Sequence, residues 1–376
     1  MDPVVAIEGL SPVARKILDP ASPAPMRQMA AKGVAPGLKP AEVITVVAVL
    51  SEADDPAVAA AAKATLAKLP PPLLNGALAG DLPPGVLGLL APSYAADLAV
   101  MEKIVAHRAL LPQTVAAVAA IASEAVAELI ATNEQLLLAN PEIIEKLYMN
   151  KSTRMSTADR VLELAVRNKV ELKGIPAYKE AAAAIGQELI VEATSEPTPD
   201  DVLFVETDAV AQQLEIDASK EDTHRLDEET GEEVVEEKFL PLHARIAQMT
   251  ISQKIRTCML GNASARLLLV RDSNRLVSSA AIKSPGIQEN EVILISASRN
   301  VSEDVLRIIA LDREWTRSHL VKLNLVTNPR TPFAFASKLI LHLREHELKA
   351  LAKSKNVTGA VSTAARQQLQ RRNVEG

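Results

Sequence analysis

An all-α fold, an α-solenoid of short helix pairs in two segments joined by an acidic linker, is the fold class this sequence predicts. Three observations carry it. Aromatic residues are only 2% of the 376 residues while apolar residues reach 48%, so the core is built from Ala, Leu, Val and Ile. Such a core suits closely packed helices better than a sandwich or barrel, whose strands favour aromatic and β-branched side chains. Short phrases recur about every 28 residues, which leaves room for two helices of roughly ten residues and two tight turns. Glycine is scarce, at 14 residues, and no alternating pattern or strand–helix succession suggests a sheet.

The N-terminal domain spans residues 1–191, with a net charge of −3. Pro56, Pro84, Pro112 and Pro141 are 28, 28 and 29 apart, and Val58, Val86, Val115 and Ile144 follow them by two or three residues. Helical stripes continue from there, as in Val115, Val118, Ala119 and Ala122. Many other prolines lie outside this register.

Residues 192–238 carry 17 acidic and 3 basic side chains, a net of −14. Low apolar content and self-repulsion oppose packing, so this stretch is expected to be a largely disordered acidic linker. Its segment 201–216 is the least polar and suits a helix or a short strand. A solvated spacer is one reading; the other is that it screens the basic C-terminal region in cis, because tethering gives it a high effective concentration.

Residues 239–376 carry a net of +11 and form the basic C-terminal helical-repeat domain. Asn300, Asn328 and Asn356 are 28 apart. Helix-start residues follow each: Ser302, ahead of Glu303 and Asp304; Thr331, ahead of Pro332; and Thr358. Further helix starts are expected near Glu314 and Glu345, and the tail QQLQRRNVEG reads as a frayed helix end. A helix pair of this length cannot bury its apolar face alone, but stacked neighbours can, which gives a solenoid.

The stretches GNASARLLLVRDSNRLV (261–277), REWTRSHL (313–320), LVTNPRTP (325–332) and LKALAKSKNV (348–357) resemble the helical-repeat domain of a group of uncharacterised bacterial proteins. The Asn-Pro-x-Thr-Pro phrase is similar to leucine-rich-variant and HEAT-like repeats. The resemblance covers roughly residues 245–370 well and 50–170 loosely, although the period is shorter than in HEAT or TPR repeats. It implies a right-handed helical solenoid and no catalytic residue.

Catalytic motifs are few. His342-Leu343-Arg344-Glu345-His346 matches the H-x-x-E-H pattern of inverted zinc peptidases, which needs one continuous helix to put both imidazoles on a face. The repeat register instead places His346 near a turn, so surface or capping histidines are the favoured reading. His107, His224, His243 and His319 show no ligand spacing. The single Cys258 excludes an intrachain disulfide framework and a multi-Cys zinc site; it reads as a buried structural thiol rather than a nucleophile. There is no Walker loop, no G-x-G-x-x-G and no G-x-S-x-G. Gly76 and Gly80 are followed by prolines rather than a phosphate-binding helix.

The candidate partner-binding residues are Arg271, Arg275, Arg299, Arg313, Trp315, Arg317 and Arg330. They belong to a wider basic set with Lys283, Arg307, Lys322, Lys338, Arg344, Lys349, Lys353 and Lys355. On one face these would form a positive track for a phosphate backbone or an acidic protein segment. Trp315, flanked by arginines, reads either as a ring packed between helices or as a partner's hot spot. Scarce aromatics argue against reading single-stranded RNA by stacking.

The functional expectation is a non-enzymatic protein–protein interaction scaffold with no cofactor and no metal. The alternative is nucleic-acid binding through residues 239–376, screened in cis by the acidic segment. The N-terminus MDPVVAIEGL lacks the basic start of a signal peptide, and no stretch approaches 18 uncharged apolar residues. A cytoplasmic location is therefore expected.

Overall fold

A computed structural model of the chain describes residues 9–188, 196–227 and 229–375, with side chains described up to Arg372. These residues form 24 α-helices, a few 3-10 turns and one two-stranded antiparallel sheet. The all-α expectation holds. Most helices run seven to eleven residues, a length that is marginal in water alone, so each depends on its neighbours. The chain divides into two compact units, Met1–Leu172 and Lys173–Gly376.

In the first unit, seven helices begin on proline: Pro12–Leu18, Pro40–Leu50, Pro56–Leu66, Pro71–Leu78, Pro84–Leu90, Pro112–Ala119 and Pro141–Met149. Proline suits the first helical position because its φ is preset and the N–H it lacks has no partner there. All four register prolines are such starts, and Val58, Val86, Val115 and Ile144 behind them are buried. Helices pack against later helices rather than only their chain neighbours. Ala24–Ala31 lies against Pro56–Leu66, Pro40–Leu50 against Pro71–Leu78, and Pro112–Ala119 against Pro141–Met149.

Polar side chains tie these layers together across similar sequence separations. Lys103 donates to Asn75 Oδ1 at 2.6 Å, 28 residues away. Arg154 donates to Glu124 at 2.5 Å across 30 residues, and Arg160 to Glu128 at 2.6 Å across 32. Asn150 is buried at the end of Pro141–Met149, and its Nδ2 donates to Ala119 O at 3.0 Å and Ala122 O at 2.9 Å. Its Oδ1 accepts the Ser152 N–H. One amide thus closes its own turn and satisfies two carbonyls of the previous one.

The second unit corrects the reading of the acidic segment. Within residues 192–238, expected to be largely disordered apart from a helix or short strand at 201–216, lie the helix Pro199–Gln213 and, unexpectedly, a hairpin of strands His224–Leu226 (β1) and Glu233–Val235 (β2). Net charge hides a short apolar stripe, for Phe204, Ala211 and Ile216 are buried. Thr198 and Asp201 form a reciprocal cap at the start of the helix. At its end, Ala211 O accepts from Asn262 Nδ2 at 2.6 Å and Leu214 O accepts from the Ser264 hydroxyl. The Arg256 guanidinium stacks 4.9 Å over the Phe204 ring. The acidic segment therefore folds into the basic region. The helix Tyr178–Ile185, expected with the N-terminal domain, also packs here, against Ile251–Leu260 and Arg275–Ile282.

The rest of this unit repeats the next-but-one packing. Ile251–Leu260 lies against Arg275–Ile282, which lies against Glu303–Leu311, and Glu289–Ala297 lies against His319–Thr327. A buried ion pair crosses one seam. Arg266 Nε and Nη2 donate to both Glu291 oxygens at 2.9 and 2.7 Å, and Nη1 donates to Gly261 O at 2.7 Å. Gly286 leaves room for this guanidinium, since a Cβ there would lie 3.0 Å from Nη1.

The recurring asparagine phrases are shifted against the turns they mark. Asn328 caps His319–Thr327 as Asn150 does its own helix: Nδ2 donates to Ser296 O and Ser298 O at 3.0 and 2.8 Å, and Oδ1 accepts the Arg330 N–H. In the neighbouring turns the equivalent acceptors are the Ser298 and Ser354 hydroxyls, which take the N–H of Asn300 and Asn356. Serine and asparagine make the same i to i+2 turn, so the true turn positions are 298, 328 and 354. Ser302 caps its helix as expected. Pro332 stands one residue before its helix, which starts at Phe333. The last helix, Gly359–Glu375, includes most of the expected frayed end, and Arg372 anchors it to Leu341 O and Leu343 O at 2.9 Å each.

Candidate interaction site

The basic residues singled out in the sequence fall into two groups. Arg271 belongs to the first and is almost wholly covered. It follows the helix Ala263–Leu269, and its Nη1 donates to Leu267 O at 2.9 Å, one turn back. That bond fixes the fork toward the hairpin. Nη2 donates to Asp222 Oδ2 at 2.6 Å, Nη1 reaches Thr223 Oγ1 at 3.4 Å, and Nε lies 3.7 Å from Glu233 Oε2. The Arg271 side chain retains 3% of its exposure.

Glu233, at the start of β2, completes the cradle from the other side. Its Oε2 accepts the Ser298 hydroxyl at 2.5 Å, and its Oε1 accepts the Arg299 N–H at 2.7 Å. Ser298 Oγ in turn accepts from Arg271 Nε at 3.3 Å. Asn300 Nδ2 donates to the Glu233 backbone carbonyl at 3.0 Å. The turn 298–300 thus holds one carboxylate and one main-chain carbonyl of the strand. Charge-assisted bonds of this kind are stronger than neutral ones.

His224 sits beside this network, its Nδ1 3.0 Å from Thr223 Oγ1. Burial, and next the Arg271 charge, push its pKa down to about 4 against the opposing pull of Asp222 and Glu233; His243 adds to the lowering.

The second group is exposed. Arg275 pairs with Asp304 at 2.6 Å, and Arg307 pairs with the same carboxylate at 2.5 Å. Arg317 pairs with Glu314 at 2.7 Å. Arg299, Arg313 and Arg330 are exposed at turns. Trp315 is half-buried in the 3-10 turn Trp315–Arg317, which Asp312 holds by accepting the Glu314 N–H at 2.8 Å. Six of the basic side chains considered for a phosphate track, namely Arg271, Arg275, Lys283, Arg307, Arg317 and Lys349, are engaged with carboxylates.

The H-x-x-E-H residues are split by a helix break. His342 lies in the turn after Phe333–Ile340, and His346 in the first turn of Glu345–Lys353. A different histidine makes the close contact here. His319 Nε2 lies 2.7 Å from Glu347 Oε1, 28 residues on, while Glu347 Oε2 accepts the Arg344 N–H at 2.7 Å. Burial raises the Glu347 carboxyl, but that N–H and His319 outweigh it and hold it below its ordinary range. Among the described residues no group of three or more His, Cys, Asp or Glu is placed to hold a metal ion. Cys258 is fully buried, and that burial pushes its thiol far up, away from the reactive thiolate.

Asp222, Thr223, Glu233 and Ser298 were not singled out from the sequence, and Asn300 was singled out only as a repeat position. The signal available was complementary charge, 49 residues apart for Asp222 and Arg271, with nothing local to pair them. Among the described residues, no helix is long and apolar enough to cross a membrane. No protein-family model matches the chain, and neither a curated protein nor a solved structure matches it.

Proposed function

We propose that this protein is a non-enzymatic, cytoplasmic interaction scaffold built on an α-solenoid with a period near 28 residues, similar in kind to leucine-rich-variant and HEAT-like repeats. The next-but-one helix contacts and the hydrogen bonds spanning 27–32 residues support the solenoid reading. Stacked repeats offer extended surfaces to partners. The observation that carries the scaffold reading is that the C-terminal array already holds protein carboxylates: Arg271, Ser298 and Arg299 grip Asp222 and Glu233. Arg313 and Arg330 are exposed at the turns before and after the helix His319–Thr327, and Trp315 is half-buried in the first of them; these are residue types that dominate interface energetics.

The second reading, phosphate-backbone binding through residues 239–376, rests on the net charge of +11. Pairing of six basic side chains with carboxylates weakens it. Cross-linking in cells of the full chain and of an R313E/W315A/R330E variant tests the scaffold. Partners lost from a variant with unchanged helix content support this surface. Submicromolar binding of the full chain to mixed-sequence duplex DNA or RNA, falling steeply with salt, would move the assignment to nucleic acid.

A further inference from the structure

We propose that the cradle formed by Arg271, Ser298, the Arg299 N–H and Asn300 is a recognition site for an acidic, hairpin-forming segment of a partner protein, and that the chain's own hairpin fills it as a stand-in. This rests on the scaffold reading and names the class of partner for one part of it.

The cradle takes one carboxylate from each arm of the hairpin, Asp222 ahead of β1 and Glu233 in β2, features that an acidic hairpin can supply. Arg271 takes the carboxylate of Asp222 through Nη2. Ser298 and the Arg299 N–H take a second carboxylate, that of Glu233. Asn300 Nδ2 takes the main-chain carbonyl of the residue carrying it. Two carboxylates and a strand carbonyl are a peptide motif, and nothing in the set reads an apolar side chain. Asn328 Nδ2 fixes the recognising turn from below through Ser298 O at 2.8 Å, so the donors keep their positions without the hairpin.

The occupant is built to be exchanged. Each strand is three residues long, and a lone two-stranded hairpin is at best marginally stable in water. Its apolar contribution is small: Leu226 is 65% exposed, and neither Val234 nor Val235 is fully buried. What holds it is charge pairing around Arg271, with Thr223 as the fully buried anchor. The tether raises its effective concentration to the order of millimolar. A partner must therefore exceed that local competition, or the hairpin must first be weakened.

The test uses the full chain and a labelled peptide of residues 221–238 added in trans, read by fluorescence anisotropy. In a D222N/E233Q variant the cis contacts lose both charges while shape is kept. That variant should bind the peptide roughly 10- to 100-fold more tightly than the unsubstituted chain, the factor set by removing a competitor of this effective concentration. Binding should weaken as salt rises and disappear when Arg271→Ala is added. A second arm cuts the chain at a protease site inserted between Thr230 and Gly231, which unlinks the two arms of the hairpin with every cradle side chain intact; it too should gain binding. Equal binding by unsubstituted and D222N/E233Q chains, equal binding of a scrambled peptide of the same composition, or no gain in either arm with helix content unchanged would overturn the site. Those outcomes leave the scaffold reading and its cross-linking test at Arg313, Trp315 and Arg330 standing. Preferential binding of duplex RNA by the D222N/E233Q chain would overturn the protein-partner assignment instead.

Discussion

Among the described residues, the unit Met1–Leu172 starts seven helices on proline, whereas Lys173–Gly376 starts one that way, Pro199–Gln213. The second unit opens others on side-chain caps, with Thr250, Asn262, Asn274 and Ser302 each accepting a backbone N–H of its first turn. The interiors differ as well. The buried polar residues of the first unit are neutral, Thr45, Ser51, Thr114, Asn150, Thr153 and Thr157, while the second buries Asp201, Arg256, Arg266, Glu291 and Glu347. Both close a turn with the same asparagine geometry, at Asn150 and Asn328. Short helices can thus be stacked by restricting the unfolded chain with proline or by specifying seams with charge.

The largest effect expected from this contrast lies in the buried charges. Arg266→Ala should cost about 3–5 kcal/mol, because Glu291 is left charged, buried and unpaired. Arg160→Ala breaks a more exposed pair with Glu128 in the first unit and should cost about 1 kcal/mol or less. Urea unfolding followed by circular dichroism should shift strongly for Arg266→Ala and only slightly for Arg160→Ala; the fluorescence of Trp315, the single tryptophan, gives a second signal, from within the second unit. Equal shifts would erase the contrast.

The shared turn should make the two units respond alike. Asn150→Ala and Asn328→Ala each strip hydrogen bonds from two buried carbonyls, at about 2–3 kcal/mol apiece. Circular dichroism melts of the two variants should fall by similar amounts, and a large inequality would show that the turns are alike in geometry only.

Acid should separate the units again. The folded pKa of His224 is lowered to about 4 from 6.5. The unfolded chain then takes up the proton first, so this contribution is present above pH 6.5 and is lost as pH falls toward 4. The fluorescence-detected transition should move to lower urea over that window, and His224→Gln should flatten the slope. A slope unchanged by His224→Gln would sink the assignment.

The smallest effects belong to the helix starts. Ser302→Ala removes a cap and should cost about 1 kcal/mol. Pro112→Ala keeps the helix and frees the unfolded chain, for a loss of about 0.4–1 kcal/mol. Chemical denaturation of both variants checks the order.

The proline register was legible because proline acts locally: Pro56, Pro84, Pro112 and Pro141 mark helix starts whatever lies around them. The asparagine register was wrong in position, since Ser298, Asn328 and Ser354, 30 and 26 residues apart, are chemically different residues that make one turn. The hairpin was illegible. An acidic run such as DEETGEEVVEEK reads as self-repelling until Arg271, Ser298 and Asn300 are brought beside it. The pairings of Arg266 and Arg271 were hidden for the same reason, because a charged residue looks solvated until its partner 25 or 49 residues away is found. Of the seven residues proposed for partner contact, Arg271 is the one whose side chain is covered, held by Asp222 and Glu233 of the same chain.

The asparagine turns also set a clock for synthesis. The carbonyls of Ala119 and Ala122 stay without their protein donor until Asn150 has been made, 31 and 28 residues later. At about 5–20 residues per second, a nascent turn waits roughly 1.5–6 s for the layer that seals it. During that interval the ribosome carries a chain whose leading edge is always one layer short, open to whatever chaperone meets it.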